Sequence, residues 1–157
     1  MLKHLLASLC LLTLASGLQA ASGPQVLRAT EEFYAALNAM FTGDVAPMEA
    51  VWSHDEEEAT YMGPDGSYVV GWSKIKADWE KQAALKLGGK VTPTDIHLIL
   101  GNGMAVVQCY EVGQNFDNEG KKVEVKIRAT NVFRNINGEW KMVSHHTDLL
   151  PHLMHQH

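Results

Sequence analysis

The stretch "RATNVFRNINGEWKMVSHHTDLL", residues 128–150, decides the fold. It alternates apolar and polar residues, turns at Asn137-Gly138, and alternates again. Asn-Gly between two alternating runs is the strongest short hairpin signal, because both residues tolerate the positive φ of a type I′ turn. A two-residue turn sets the register: Ile136 pairs with Glu139, Thr130 faces His145, and Arg128 faces Thr147. Arg128, Thr130, Val132, Val143 and His145 then share one face. Ala129, Asn131, Phe133, Met142, Ser144 and His146 share the other. Neighbours on a strand point oppositely, so His145 and His146 cannot serve one site unless a bulge intervenes.

The same logic runs upstream. Asn102-Gly103 pairs His97 with Gln108 and Asp95 with Tyr110, which puts His97, Ile99, Val106, Gln108 and Tyr110 on one face. Ile96, Leu98, Leu100, Val107 and Cys109 form the opposite, nearly all-apolar face. Val123, Val125, Ile127, Ala129 and Phe133 repeat that apolar face on the next strand. Ahead of these strands, Val26, Thr30, Phe33, Leu37 and Met40 recur at helical spacing over residues 24–41, with Pro24 in the first turn. Asp44 caps a short second helix ending near Trp52. "EEATYMG", "PDG" and "SYVVG" read as strand, turn and strand. Ser73 opens a third helix through Ile75, Trp79 and Ala83, stopped by Gly88-Gly89. The expectation is an α+β domain: three N-terminal helices packed on a long, curved antiparallel sheet. Helices cover one sheet face, and a second copy of the chain is expected to cover the other as a homodimer.

The chain opens with Lys3 and His4, an apolar run of about ten residues from Leu5, and "ASGLQAASG". This pattern reads as a signal peptide over residues 1–20, so the mature protein is expected to start at Ala21, to be periplasmic or secreted, and to keep no membrane anchor. The 157 residues carry 13 Lys and Arg against 18 Asp and Glu, a net charge of -5. An acidic balance argues against nucleic acid as a partner. Cleavage would leave Cys109 as the lone cysteine, so no internal disulfide is expected and the core holds the fold unaided. Cys109, mid-strand, is expected to be buried and inert.

The pattern resembles the nuclear transport factor 2-like superfamily, specifically its SnoaL-like branch. "FYAALNAMFTGD" resembles the first helix and its exit. "EEATYMGPDGSYVVGWSKIKADW" resembles the acidic lead-in, first hairpin and following helix. "RATNVFRNINGEWKMVSHH" resembles the final hairpin, with Trp140 after the turn. The resemblance implies a cone-shaped fold over residues 21–150, a homodimer, and a pocket at the open end of the cone. Ketosteroid isomerases of that superfamily use a tyrosine on the first helix, an aspartate base in the first hairpin and a protonated aspartic acid on the penultimate strand. Matched to this chain, those positions hold Phe33, Gly63 and Thr130, and Tyr34 is one place off. That acid-base set is missing. Kinase association domains of the superfamily, which are assembly modules, share the final "G-x-W" and histidine.

Two function classes stay open. In the first, the chain is an exported pocket protein that binds a small organic ligand, with an anionic or a carbonyl oxygen for Arg128 to hold, or acts on it as an isomerase, cyclase or lyase. Arg128 would hold an oxygen and His145 would move a proton, with Trp52, Tyr61, Trp79, His97, Tyr110, Thr130 and His146 around the ligand. The bland account makes His145 a neutral core histidine and pairs Arg128 with Asp95 or Glu111. In the second class, the cone is plugged by its own side chains and the protein is a dimeric scaffold. "EEE" at residues 56–58 is expected to be a solvated face. The histidine-rich tail, residues 151–157, could bind metal but lacks the spacing that holds one, so neither metal nor cofactor is expected.

Overall fold

The computed structural model describes residues 22–117 and 119–149. The expected leader and the histidine-rich tail lie outside the described residues.

Helix α1, Gly23–Met40, buries Val26, Thr30, Phe33, Leu37 and Met40, the stripe its sequence spacing lays on one side. Tyr34 is buried as well, so the hidden arc is wider than the stripe alone. The backbone leaves the helix through Gly43, whose φ of 102° a residue with a side chain rarely adopts. Asp44 Oδ1 accepts from the Ala46 amide at 3.2 Å and starts α2, Ala46–Val51. Strands β1, Thr60–Met62, and β2, Tyr68–Val70, form the small hairpin. Helix α3, Trp72–Leu85, follows it. Of the three helices, two are long and α2 has only six residues.

The two ends of α3 correct two expectations. Ser73 does not cap it with its own side chain; the Glu56 carboxylate does, accepting from the Ser73 amide at 3.1 Å and from its hydroxyl. Glu56 supplies the negative charge that a helix N-terminus favours. Glu58 accepts from Arg134 at 2.8 Å. The "EEE" run is exposed as expected, and from that exposed position Glu56 caps α3 and Glu58 pairs with Arg134. Helix α3 ends on Lys86, in the left-handed region at φ 49°, before either glycine is reached.

Strands β3, Lys90–Leu100, β4, Met104–Phe116, β5, Lys122–Ile136, and β6, Glu139–Leu149, form the expected antiparallel meander. The whole sheet has six strands in the order β2-β1-β6-β5-β4-β3. It is not wholly antiparallel, because β1 joins β6 in parallel and sets Tyr61 beside His145.

The final hairpin departs from the expected register at one residue. Ile136 pairs with Glu139 as the turn requires, and Phe133 with Met142. Val132 then pairs with Ser144, leaving Val143 as a bulge. Beyond it every partner shifts by one: Asn131 pairs with His145, Thr130 with His146, and Arg128 with Asp148. The bulge reverses which side chains face inward. Without it Asp148 would share the inner parity of Met142; with it Asp148 reaches Arg128 on the outer side, and His145 and Thr147 are buried. Exporting a carboxylate is the favourable direction, since an unpaired buried charge is expensive. A second irregularity lies between Thr94 and His97, with Asp95 at φ 53°, so Tyr110 pairs with Thr94 and not with Asp95.

Replacing Glu56 with alanine should cost about 1 kcal/mol, the usual worth of a helix cap. Urea denaturation measures it, and an unchanged midpoint would contradict the capping role.

Candidate functional site

Strand β4 turns Ala105, Val107, Cys109 and Glu111 toward the helices. The first three are unremarkable core residues. Glu111 is a carboxyl only 3% exposed. Strand β5 sends Asn131 inward between Ala129 and Phe133, and β6 sends His145 and Thr147. Tyr34 reaches the same spot from α1. Its hydroxyl donates to Glu111 Oε1 at 3.0 Å, lies 3.2 Å from Cys109 Sγ, and accepts from Asn131 Nδ2 at 3.2 Å. Asn131 Oδ1 lies 2.6 Å from His145 Nδ1. The other imidazole nitrogen, Nε2, is 3.7 Å from Glu111 Oε1. Four polar side chains from α1, β4, β5 and β6 thus close a nearly continuous ring inside the core.

One arc of that ring opens on a cavity of about 370 Å³, within the size range of small-molecule sites. Glu111, His145 and Thr147 line it together with Tyr61, Trp79, Leu37, Phe41, Val91, Val125 and Ile127. Tyr61 and Trp79 have ring centroids 4.5 Å apart, and Tyr61 lies parallel to His145 at 5.9 Å. The Tyr61 hydroxyl accepts from Gln82 Nε2 at 3.3 Å. The charged residues Glu124 and Lys126 also line the cavity, on exposed positions.

Burial governs the ionisation of this cluster. Desolvation pushes the Glu111 carboxyl up to about 7, against the opposing hydrogen bond from Tyr34. Desolvation pulls the His145 imidazole down to about 3, helped by the neighbouring His146 charge. The Tyr61 hydroxyl is pushed up to about 12, again chiefly by burial, and burial also raises Tyr34 and the Cys109 thiol. Glu111 and His145 lie at ion-pair distance, yet moving the proton from acid to base would create two charges in a dry interior. At neutral pH the arrangement is a neutral imidazole facing a carboxyl close to its midpoint.

The sequence candidates separate into three places. His145, Tyr61 and Trp79 line the inner cavity. Trp52 is buried behind them, its ring 6.2 Å from those of Trp72 and Trp79, and is not a cavity wall. Arg128, His97, Tyr110, Thr130 and His146 lie on the outer face of the sheet, around a groove of about 430 Å³ that also includes Asp95 and Asp148. The expected union of Arg128 with His145 is therefore incorrect; the Val143 bulge separates them across the sheet. Arg128 instead donates to both oxygens of Asp148, at 3.0 Å through Nε. Its partner is neither Asp95 nor Glu111.

The site residues missed in the sequence are Glu111 and Thr147 at the cavity wall, and Tyr34 and Asn131 in the hydrogen-bonded ring behind it. Glu111 was within reach: carrying the Val107, Cys109 alternation one step further lands on it. Thr147 was hidden by the bulge. Asn131 was placed on the face of Ala129 and Phe133 but passed over as a site residue, and Tyr34 was weighed only as one place off the matched tyrosine position. Among the described residues no three His, Cys, Asp or Glu side chains converge as a metal site. No helix among them is long and apolar enough to cross a membrane.

The family profile of the SnoaL-like domain matches residues 26–149. The chain belongs to the SnoaL-like domain family. Among solved structures it is similar to a proposed dehydratase of the nuclear transport factor 2-like family from Streptomyces avermitilis, with 25% identity over 81% of this chain and 95% of that one, at a TM-score of 0.71. A proposed calcium/calmodulin-dependent protein kinase type II association domain from Thiobacillus denitrificans shares 25% identity over 78% of this chain and 92% of that one, at 0.66. A proposed ketosteroid isomerase from Shewanella frigidimarina shares the fold, with 16% identity over 77% of this chain and 92% of that one, at 0.62. No curated protein matches the chain.

Glu111 generates a pH-dependent prediction. Its ordinary value is 4.5 and its folded value about 7, so between them the folded state holds a proton that the unfolded state has lost. Its contribution to stability falls as pH rises through that window. His145, lowered to about 3 from 6.5, has the opposite slope between those values and masks Glu111 where the windows overlap. Glu111→Gln keeps the shape and never ionises. Relative to wild type it should gain about 3 kcal/mol as pH rises through the Glu111 window. Urea denaturation of both proteins across pH measures the gain, and a pH-independent difference would contradict it.

Proposed function

We propose that this SnoaL-like protein is an acid-base enzyme, a lyase or isomerase, acting on a small, largely apolar, uncharged organic molecule in the inner cavity. The observation that carries the reading is the His145 imidazole set 3.7 Å from the Glu111 carboxyl at the cavity wall. Glu111, near 7, is poised to give up and regain a proton around neutral pH, and His145, held near 3, is unprotonated there and offers its lone pair as a weak base. His145 takes a proton from a carbon next to a carbonyl. In an elimination, the C–H electrons form the new double bond, the neighbouring C–O bond breaks, and the departing hydroxyl takes the Glu111 proton and leaves as water. In an isomerisation, that proton goes to a carbon further along the conjugated system. Either course leaves imidazolium beside carboxylate, and return of one proton from His145 to Glu111 resets the pair.

An uncharged substrate is supported by the placement of Arg128 on the outer face, paired with Asp148, and by the exposed positions of the charged lining residues Glu124 and Lys126, away from the buried ring. The similarity to the proposed dehydratase favours elimination. The similarity to the association domain keeps an assembly role as the second reading, and the outer sheet face, where Ile99 and Met104 are exposed, suits self-association. The cavity of about 370 Å³ favours the enzyme over a plugged scaffold. Export belongs to the same proposal and rests on the leucine-rich start of the chain.

Small molecules that co-purify with the native protein, identified by mass spectrometry, provide the ligand to test. In D2O the protein should catalyse deuterium uptake at carbon in that ligand or in its dehydration product. His145→Gln should reduce the rate by at least about 100-fold. Uptake at the wild-type rate in a folded His145→Gln protein would remove the proposed base. For export, N-terminal sequencing of protein released by its host should begin at Ala21, and an intact Met1 would refute it.

A further inference from the structure

We infer that Asn131 is a positioning residue: its amide sets the direction of the buried hydrogen-bond chain and holds His145 with its proton on Nδ1 and a bare Nε2 toward Glu111. Asn131 is wholly buried, and both ends of its amide are engaged. An amide has one end that only donates and one that only accepts. Nδ2 donates to the Tyr34 hydroxyl oxygen, so Oδ1 is the atom that meets His145 Nδ1 at 2.6 Å. An acceptor there requires a proton on Nδ1. A neutral imidazole carries one proton, so Nε2 is left with its lone pair. At the other end the Tyr34 oxygen accepts from Asn131 and its own proton goes to Glu111 Oε1. Donation therefore runs from His145 through Asn131 and Tyr34 to Glu111.

The reverse direction would have different chemistry. With the amide turned over, Tyr34 would donate to Asn131, Glu111 would spend its proton on Tyr34, and His145 would carry its proton on Nε2. The nitrogen facing Glu111 would then be no base, and the acid would have no proton to give to a ligand. Only the observed direction leaves both reactive ends free. The choice of asparagine over aspartate follows from the same geometry. A carboxylate accepts at both ends, so it would draw the Tyr34 proton away from Glu111 and favour the charged imidazole. The groups packed on His145 are Phe33 from α1, Tyr61 from β1 and Trp79 from α3, with Glu111 on β4 and Asn131 on β5. Of these Glu111 and Tyr61 titrate, and burial holds both toward their neutral forms.

The catalytic meaning of this inference rests on the proposed proton-transfer function, but its test needs no substrate. Nitrogen-15 NMR of the imidazoles in the full-length, ligand-free protein reads which nitrogen holds the proton. His145 should show one tautomer, protonated on Nδ1. Asn131→Asp should raise the pH at which His145 titrates by about 2 units or more. A wild-type His145 protonated on Nε2 overturns the inference whether or not the variant folds. So does a folded Asn131→Asp protein whose His145 titrates as in wild type. The expected tautomer in a protein that moves no proton on any ligand would instead sink the proposed enzyme and leave the role of Asn131 standing.

Discussion

A carboxyl buried without a cation constrains everything around it. Glu111 is packed on the inner side of β4, and among the described residues no Lys or Arg pairs with it. Ionising it there is costly, so the interior must favour the acid form or offer hydrogen bonds to the anion. The structure supplies one such bond, from Tyr34. That is enough to hold the group near neutrality rather than to abolish its ionisation, which is the condition a proton-transferring acid needs. The same dry surroundings lower His145, so one physical cause holds both the carboxyl and the imidazole toward their neutral forms.

The bulge at Val143 brings that pair together. The one extra residue carries His145 and Thr147 to the inner side and leaves Asp148 and His146 on the outer side with Arg128. The hairpin therefore serves two surfaces with different chemistry. Its inner side completes an apolar cavity with a small polar ring at its wall. Its outer side is a groove in which the arginine is already neutralised. A bulge usually re-aims a side chain at some cost in sheet regularity, and here the side chain re-aimed is the candidate base.

The fold was readable because it depends on signals that act locally. Asn-Gly turns, the α1 stripe and the alternation of β4 and β5 each fix an element without reference to the rest. The site was only partly readable. The two-residue turn at Asn137-Gly138 formed as expected, yet the register changed six residues later, where no turn residue marks it. A bulge is decided by what the whole sheet gains from burial, here the removal of Asp148 from the inner parity, and no local pattern encodes that. His145, Tyr61 and Trp79 line the inner cavity, whereas Arg128 was drawn to it by the assumption of unbroken parity. Glu111 was overlooked for another reason. A glutamate in an apolar alternation looks like an interruption until β6, two strands away, is known to bring an imidazole to it.

The most direct test of this account is the ionisation of Glu111 itself. Carbon-13 NMR of its side-chain carboxyl, followed across pH in the ligand-free protein, should show a midpoint near 7. A midpoint at the ordinary value of 4.5 would mean that the carboxyl is solvated or paired after all, and would contradict the neutral acid on which the site depends.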